Sequence, residues 1–109
     1  MPKLRRVNIE ESEEIFEDLK KLAQELKERF NCDVYLYGSF AEKEIHEGSD
    51  IDLIVVGDFK ERFFERMGKI LEMTDLPVEP LAYTREEFEK MKNDSPFIRD
   101  VLKKAQKLA

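Results

Sequence analysis

Between Glu10 and Phe30 the apolar residues Ile15, Phe16, Leu19, Leu22, Ala23, Leu26 and Phe30 recur at helical spacing. That period predicts an amphipathic helix with its Glu, Lys and Arg positions in water. The pattern then shortens. Asp33 to Tyr37 is β-branched and aromatic and predicts a strand, and Asp50 to Val56 predicts a second, more apolar one. Gly38-Ser39 begins the turn between them, with a short helix expected from Phe40 to Glu44 and a polar connection from Ile45 to Ser49. Gly57-Asp58 closes the second strand, and Asp58 is a candidate N-cap for a helix whose apolar face is Phe59, Phe63, Phe64, Met67, Ile70 and Leu71. Pro77 to Tyr83 predicts a third strand, which its two prolines place at an edge or a bulge. Thr84-Arg85-Glu86-Glu87 reads as a capping box opening a helix to about Lys92. Ser95-Pro96 reads as the N-cap and first helical position of a last helix, Phe97 to Leu108. The expected architecture is α/β (α+β): a small mixed sheet covered by helices.

The chain has 109 residues, which leads us to expect one domain spanning 1–109. Acids outnumber bases, 25 to 19, for a net charge of −6. Strong nucleic-acid binding is therefore not expected, and a basic-surfaced partner is compatible with the balance. Cys32 is the only cysteine, which excludes an internal disulfide and a zinc cluster. No apolar run is long enough to span a bilayer, and no leader pattern is seen, so a cytoplasmic protein is expected.

The candidate chemistry lies in the first two strands. Asp50 and Asp52 are two apart in a strand, hence on one face, about 7 Å apart along the chain. Like charges at that spacing repel unless a cation lies between them, and hard oxygen ligands select Mg²⁺. An exposed turn at the start of a strand would also accommodate both acids. Asp52, however, interrupts an apolar run, where a carboxylate packs poorly. The Gly38-Ser39 turn could offer N–H groups and a hydroxyl to a phosphate. These are parts for metal-dependent phosphoryl or nucleotidyl transfer.

Gly38-Ser39, ten residues, then Asp50-Ile51-Asp52 followed by Leu-Ile-Val-Val resembles the signature of the DNA polymerase β-like nucleotidyltransferase superfamily. More narrowly, the chain resembles the small minimal nucleotidyltransferases (MNT). The resemblance implies a polymerase β-like fold and a third carboxylate on the strand after the second helix. Glu79 is the one acid between Pro77 and Tyr83, so it takes that place. Asp50, Asp52 and Glu79 are then the implied catalytic and metal-binding residues for one or two Mg²⁺ ions. Gly38 and Ser39 would hold the triphosphate of ATP or another NTP. The loop Ala41-Glu42-Lys43-Glu44 has an acid where relatives commonly carry arginine, and Lys43 could supply the charge one position later. The resemblance further implies transfer of a nucleoside monophosphate, AMP from ATP, to an acceptor hydroxyl. Its expected acceptor is a tyrosine of a helical HEPN-type toxin, making this chain an antitoxin in a homo- or hetero-oligomer. The alternative is a non-catalytic antitoxin that neutralises by contact.

Overall fold

The structure, a computed structural model, describes residues 12–38 and 51–109. Helix α1 (Ser12–Phe30) buries Ile15, Leu19, Leu22, Ala23 and Leu26, the stripe its spacing predicts. It stops where Asn31 takes a left-handed conformation (φ 51°) and its N–H donates to the Lys27 carbonyl. Asn is one of the few residues that adopts this helix-ending geometry without large strain. Strands β1 (Cys32–Tyr37) and β2 (Ile51–Gly57) pair antiparallel, and β2 pairs parallel with β3 (Val78–Thr84) through the crossover helix α2 (Phe63–Leu71). Helices α3 (Arg85–Asp94) and α4 (Pro96–Lys104) follow, and β4 (Gln106–Lys107) pairs antiparallel with β1. The sheet order is β3-β2-β1-β4.

Side-chain alternation divides the core in two. Cys32, Val34 and Leu36 of β1, with Ile51, Leu53 and Val55 of β2, pack with α1 and with Ile70 of α2. On the opposite face, Ile54 and Val56 pack with Phe88 of α3 and Ile98 and Val101 of α4. Strand β2 is central and buried on both faces, which explains its nearly continuous apolar run.

The edge strand β3 is closed to further pairing. The Ile51 N–H donates to the Pro77 carbonyl, so in a parallel ladder Val78, Pro80, Ala82 and Thr84 turn their backbone groups outward. The Val78 N–H donates to Leu76, Pro80 has no N–H, and the Thr84 N–H donates to the Glu87 carboxylate. The Ala82 carbonyl accepts from Arg66. Such blunting is a common defence against edge-to-edge aggregation.

Two of the three predicted caps form. Thr84 and Glu87 make a reciprocal capping box, and the Ser95 hydroxyl accepts from the Ile98 N–H with Pro96 at the first helical position. Three expectations are corrected. Asp58 does not cap α2, whose N-cap is Arg62; Asp58 instead accepts from Asn31 and pairs with Arg85. The last helix ends at Lys104 rather than Leu108, because β1 has an open side that the tail fills. The Leu108 N–H donates to Val34, the Val34 N–H donates to Ala109, and Leu108 and Ala109 pack against the core. Finally, Phe64 is 82% and Leu71 45% exposed, so neither is buried with the rest of the apolar face assigned to their helix. The expected short helix at Phe40–Glu44 lies outside the described residues.

Candidate active site

One end of the sheet gathers the acids that the sequence spreads over 28 positions. Antiparallel pairing sets Tyr37 opposite Asp52, and parallel pairing sets Asp52 beside Glu79. Register partners on adjacent strands carry their side chains on the same face, with Cβ atoms about 5 Å apart. Tyr37, Asp52 and Glu79 therefore form a transverse row across three strands. It continues the face that carries Ile54 and Val56, just before α3 and α4 begin to cover it. Tyr37 and Asp52 are half-buried, and Glu79 is exposed on the edge strand.

Gly38 completes this end. Its φ of +78° turns the chain out of β1, a conformation that L side chains rarely adopt. A Cβ on Gly38 would fall 2.5 Å from Oδ2 of Asp52, so the missing side chain is also what gives this carboxylate its room. The electrostatics are legible at Tyr37. Burial, then the charge of Asp52, with lesser contributions from Tyr83 and Glu79, pushes its phenol up to about 12. Beyond burial, the contributions of Asp52 and Glu79 to that shift mark negative charge beside the phenol. Two carboxylates side by side in such a field are a hard-oxygen donor set that could hold a divalent cation.

Of the predicted site residues, the structure brings Asp52, Glu79 and Gly38 to one end of the sheet. Asp50, Ser39 and Lys43 lie outside the described residues, as does Glu42. Among the described residues no group of three or more His, Cys, Asp and Glu side chains converges on a metal position. Tyr35 and Tyr83 pack as ring partners of Phe88, at 6.5 and 6.3 Å, rather than standing free.

Two residues had no sequence signal that singled them out. Tyr37 joins the row only through the β1–β2 register, which composition cannot set. Arg66 sits in the middle of α2, 6% exposed, where the periodicity calls for an apolar residue. Its guanidinium donates to Glu61 O, Ala82 O and Glu87 Oε1 and lies over the Phe59 ring. It fastens α2, β3 and α3 together, and that hydrogen bond, with those of the capping box, lowers the Glu87 pKa.

A mixed sheet between helices, with a glycine turn against the strand carboxylate Asp52, is the framework of a nucleotidyl-transfer domain. The chain belongs to the nucleotidyltransferase domain family of the polymerase β-like superfamily; the family model matches residues 19–108. Among solved structures, the chain is similar to a candidate nucleotidyltransferase from Sulfolobus solfataricus, with a TM-score of 0.60 and 23% identity. That match covers 75% of this chain and 78% of the other. It is also similar to a chain in a toxin–antitoxin structure with AMP-PNP, with a TM-score of 0.56 and 18% identity, over 86% of this chain and 72% of that one. At these identities the likeness establishes a common fold. A comparison with the curated proteins finds no match. Among the described residues no helix is long and apolar enough to cross a membrane.

Proposed function

We propose that this chain is a Mg²⁺-dependent minimal nucleotidyltransferase that transfers AMP from ATP to an acceptor hydroxyl. The observation that carries the reading is the register of Asp52 with Glu79, which puts two strand carboxylates in one row beside Gly38. In this reading Asp50, Asp52 and Glu79 would hold the metal. When bound, Mg²⁺ would neutralise triphosphate charge and lower the pKa of the acceptor hydroxyl. Gly38 lets the backbone approach the triphosphate, Ser39 donates its hydroxyl, and Lys43 adds a positive charge. The acceptor oxygen forms a bond to the α-phosphorus as the bond to the departing pyrophosphate breaks. Glu79, exposed on the edge strand, takes the acceptor proton.

The acceptor we assign is a tyrosine of a helical HEPN-type toxin, with this chain as its antitoxin. Family membership and the likeness to a toxin–antitoxin structure with AMP-PNP support that role. The test incubates the purified chain and a HEPN-type protein with Mg²⁺ and α-labelled ATP. Label should pass to the partner, and Asp52→Asn should reduce transfer by about three orders of magnitude. Unchanged labelling in Asp52→Asn would overturn the site assignment. The exposure of Glu79 and the acid at position 42 favour a second reading, an antitoxin acting by contact alone. There, Asp52→Asn leaves toxin neutralisation intact and no label is ever transferred.

A further inference from the structure

Helix α2 has two faces with large apolar side chains, and among the described residues only the inner one is packed. Ile70 and Arg66 point inward and are buried. Phe64, Gly68 and Leu71 are spaced by four and three residues and so fall on a single outward stripe. Phe64 is 82% and Leu71 45% exposed, and Gly68 between them is exposed as well. A Cβ on Gly68 would meet nothing within 4 Å, so no contact inside the chain calls for glycine there. Mid-helix glycine nonetheless weakens a helix relative to alanine. A bare backbone between two large apolar side chains is a seat for another helix at close approach.

The charges beside the stripe select the occupant. Glu65 and Glu72 are seven residues apart, both exposed, and lie along one flank of the stripe, where the charge of Lys69 beside them is taken up by its ion pair with Glu61. Neither makes an ion pair with the described residues. A second copy packed antiparallel about a two-fold axis would set this acidic flank against itself, and a parallel copy would set it against the apolar side chains. Nucleic acid and anionic lipid are repelled by the same two carboxylates. Strand addition at the neighbouring β3 edge is blocked by Pro80 and by the bonds from Arg66 and Glu87. We infer that the outer face of α2 docks an amphipathic helix of another protein, its apolar stripe seated on Phe64, Gly68 and Leu71 and its Lys or Arg residues facing Glu65 and Glu72. This surface does not depend on whether the acid row performs catalysis.

The test uses stapled helical peptides as probes: a leucine stripe flanked by lysines one heptad apart, the same stripe flanked by glutamates, and a scrambled basic control. Binding to the full chain is read by fluorescence anisotropy. The lysine-flanked helix should bind, and the other two should bind at least about tenfold more weakly. Phe64→Ser should cost about tenfold in affinity without lowering the melting temperature. Charge reversal at Glu65 and Glu72 to lysine should transfer the preference to the glutamate-flanked peptide. Gly68→Gln should raise the melting temperature yet weaken binding, opposite signs that a purely structural glycine would not produce. Equal binding of all three peptides, or of none, overturns the proposal. So does a dimer in sedimentation velocity that Phe64→Ser disperses, since the occupant would then be a second copy. AMP transfer in the Phe64→Ser chain to a small hydroxyl acceptor reads the catalytic proposal separately.

Discussion

The two ends of the sheet treat charge in opposite ways. At the end where α1 stops, acids are interleaved with cations: Arg85 bonds to Asn31 O and pairs with Asp33 and Asp58. Asp33 also faces Lys107, and the Asn31 amide donates to Asp58. Nearby, Arg66 ties Glu87 to Ala82 and to the Glu61 carbonyl. At the other end, the register lines Asp52 and Glu79 up in neighbouring strands, and their charge tells on the phenol of Tyr37. Interleaved charge holds elements together. Accumulated like charge sets up a field that a bound cation relieves. Ion pairs thus tie elements together at one end, while the other end is where the proposed metal site lies.

Substitutions can break that contrast, and the largest effect should fall on the gathered acids. Besides its loss of AMP transfer, Asp52→Asn should lower the Tyr37 pKa from about 12, read by ultraviolet titration of the phenol. An unmoved phenol would mean that the row does not share a field. Arg66→Ala comes next. It removes a buried cation that serves three acceptors, and we expect a loss of about 3 kcal/mol in urea unfolding. The carboxylate partner, Glu87, has a side chain 47% exposed, so most of that loss should come from the two orphaned carbonyls and the lost packing. Gly38→Ala should cost about 1–2 kcal/mol from the positive φ alone. It should also weaken Mg²⁺ binding, because the new methyl displaces the Asp52 carboxylate.

Acid should expose the managed end. Glu87 is held below the usual carboxylate range first by its hydrogen bond with Arg66, then by its bond with the Thr84 backbone, and Glu61 first by its bond with Lys69. A lowered folded pKa stabilises the fold above the unfolded value, about 4.3, and that stability is lost as pH falls through the folded value. Thermal melts should therefore decline below about pH 4, less steeply in Glu87→Gln. The smallest effect belongs to Arg85→Gln. Its partners are solvent-exposed or partly so, and the expected change is under about 1 kcal/mol, fading with added salt.

Local chemistry made much of this readable in advance. The α1 stripe, the Thr84–Glu87 box, the Ser95-Pro96 start and the edge placement of the proline-bearing strand all depend on residues within a turn or two of each other. Expectations failed where a distant partner outbid a local one. Asp58 has the right side chain to cap a helix, but Arg85 and Asn31 claim it from across the sheet. Gln106 and Lys107 continue a helical pattern, but the open side of β1 offers a ladder instead. Phe64 is expected on one apolar face with Ile70, but six residues turn a helix by about 240°, so when Ile70 faces the sheet Phe64 faces away from it.

By itself the sequence determined the order of the helices and strands as far as the last helix, and the candidate residues Gly38 and Asp52. Those depend on short-range periodicity, turn chemistry and the oddity of an acid inside an apolar strand; Glu79 came from the family resemblance, and the tail strand β4 from neither. Tertiary structure alone decided that Asp52 and Glu79 are register neighbours, that Tyr37 shares their field, and that Asp52 needs the space Gly38 leaves. A strand's side-chain alternation says which residues share a face. Which of them meet across strands is set by where the ladders close, and that depends on the whole core.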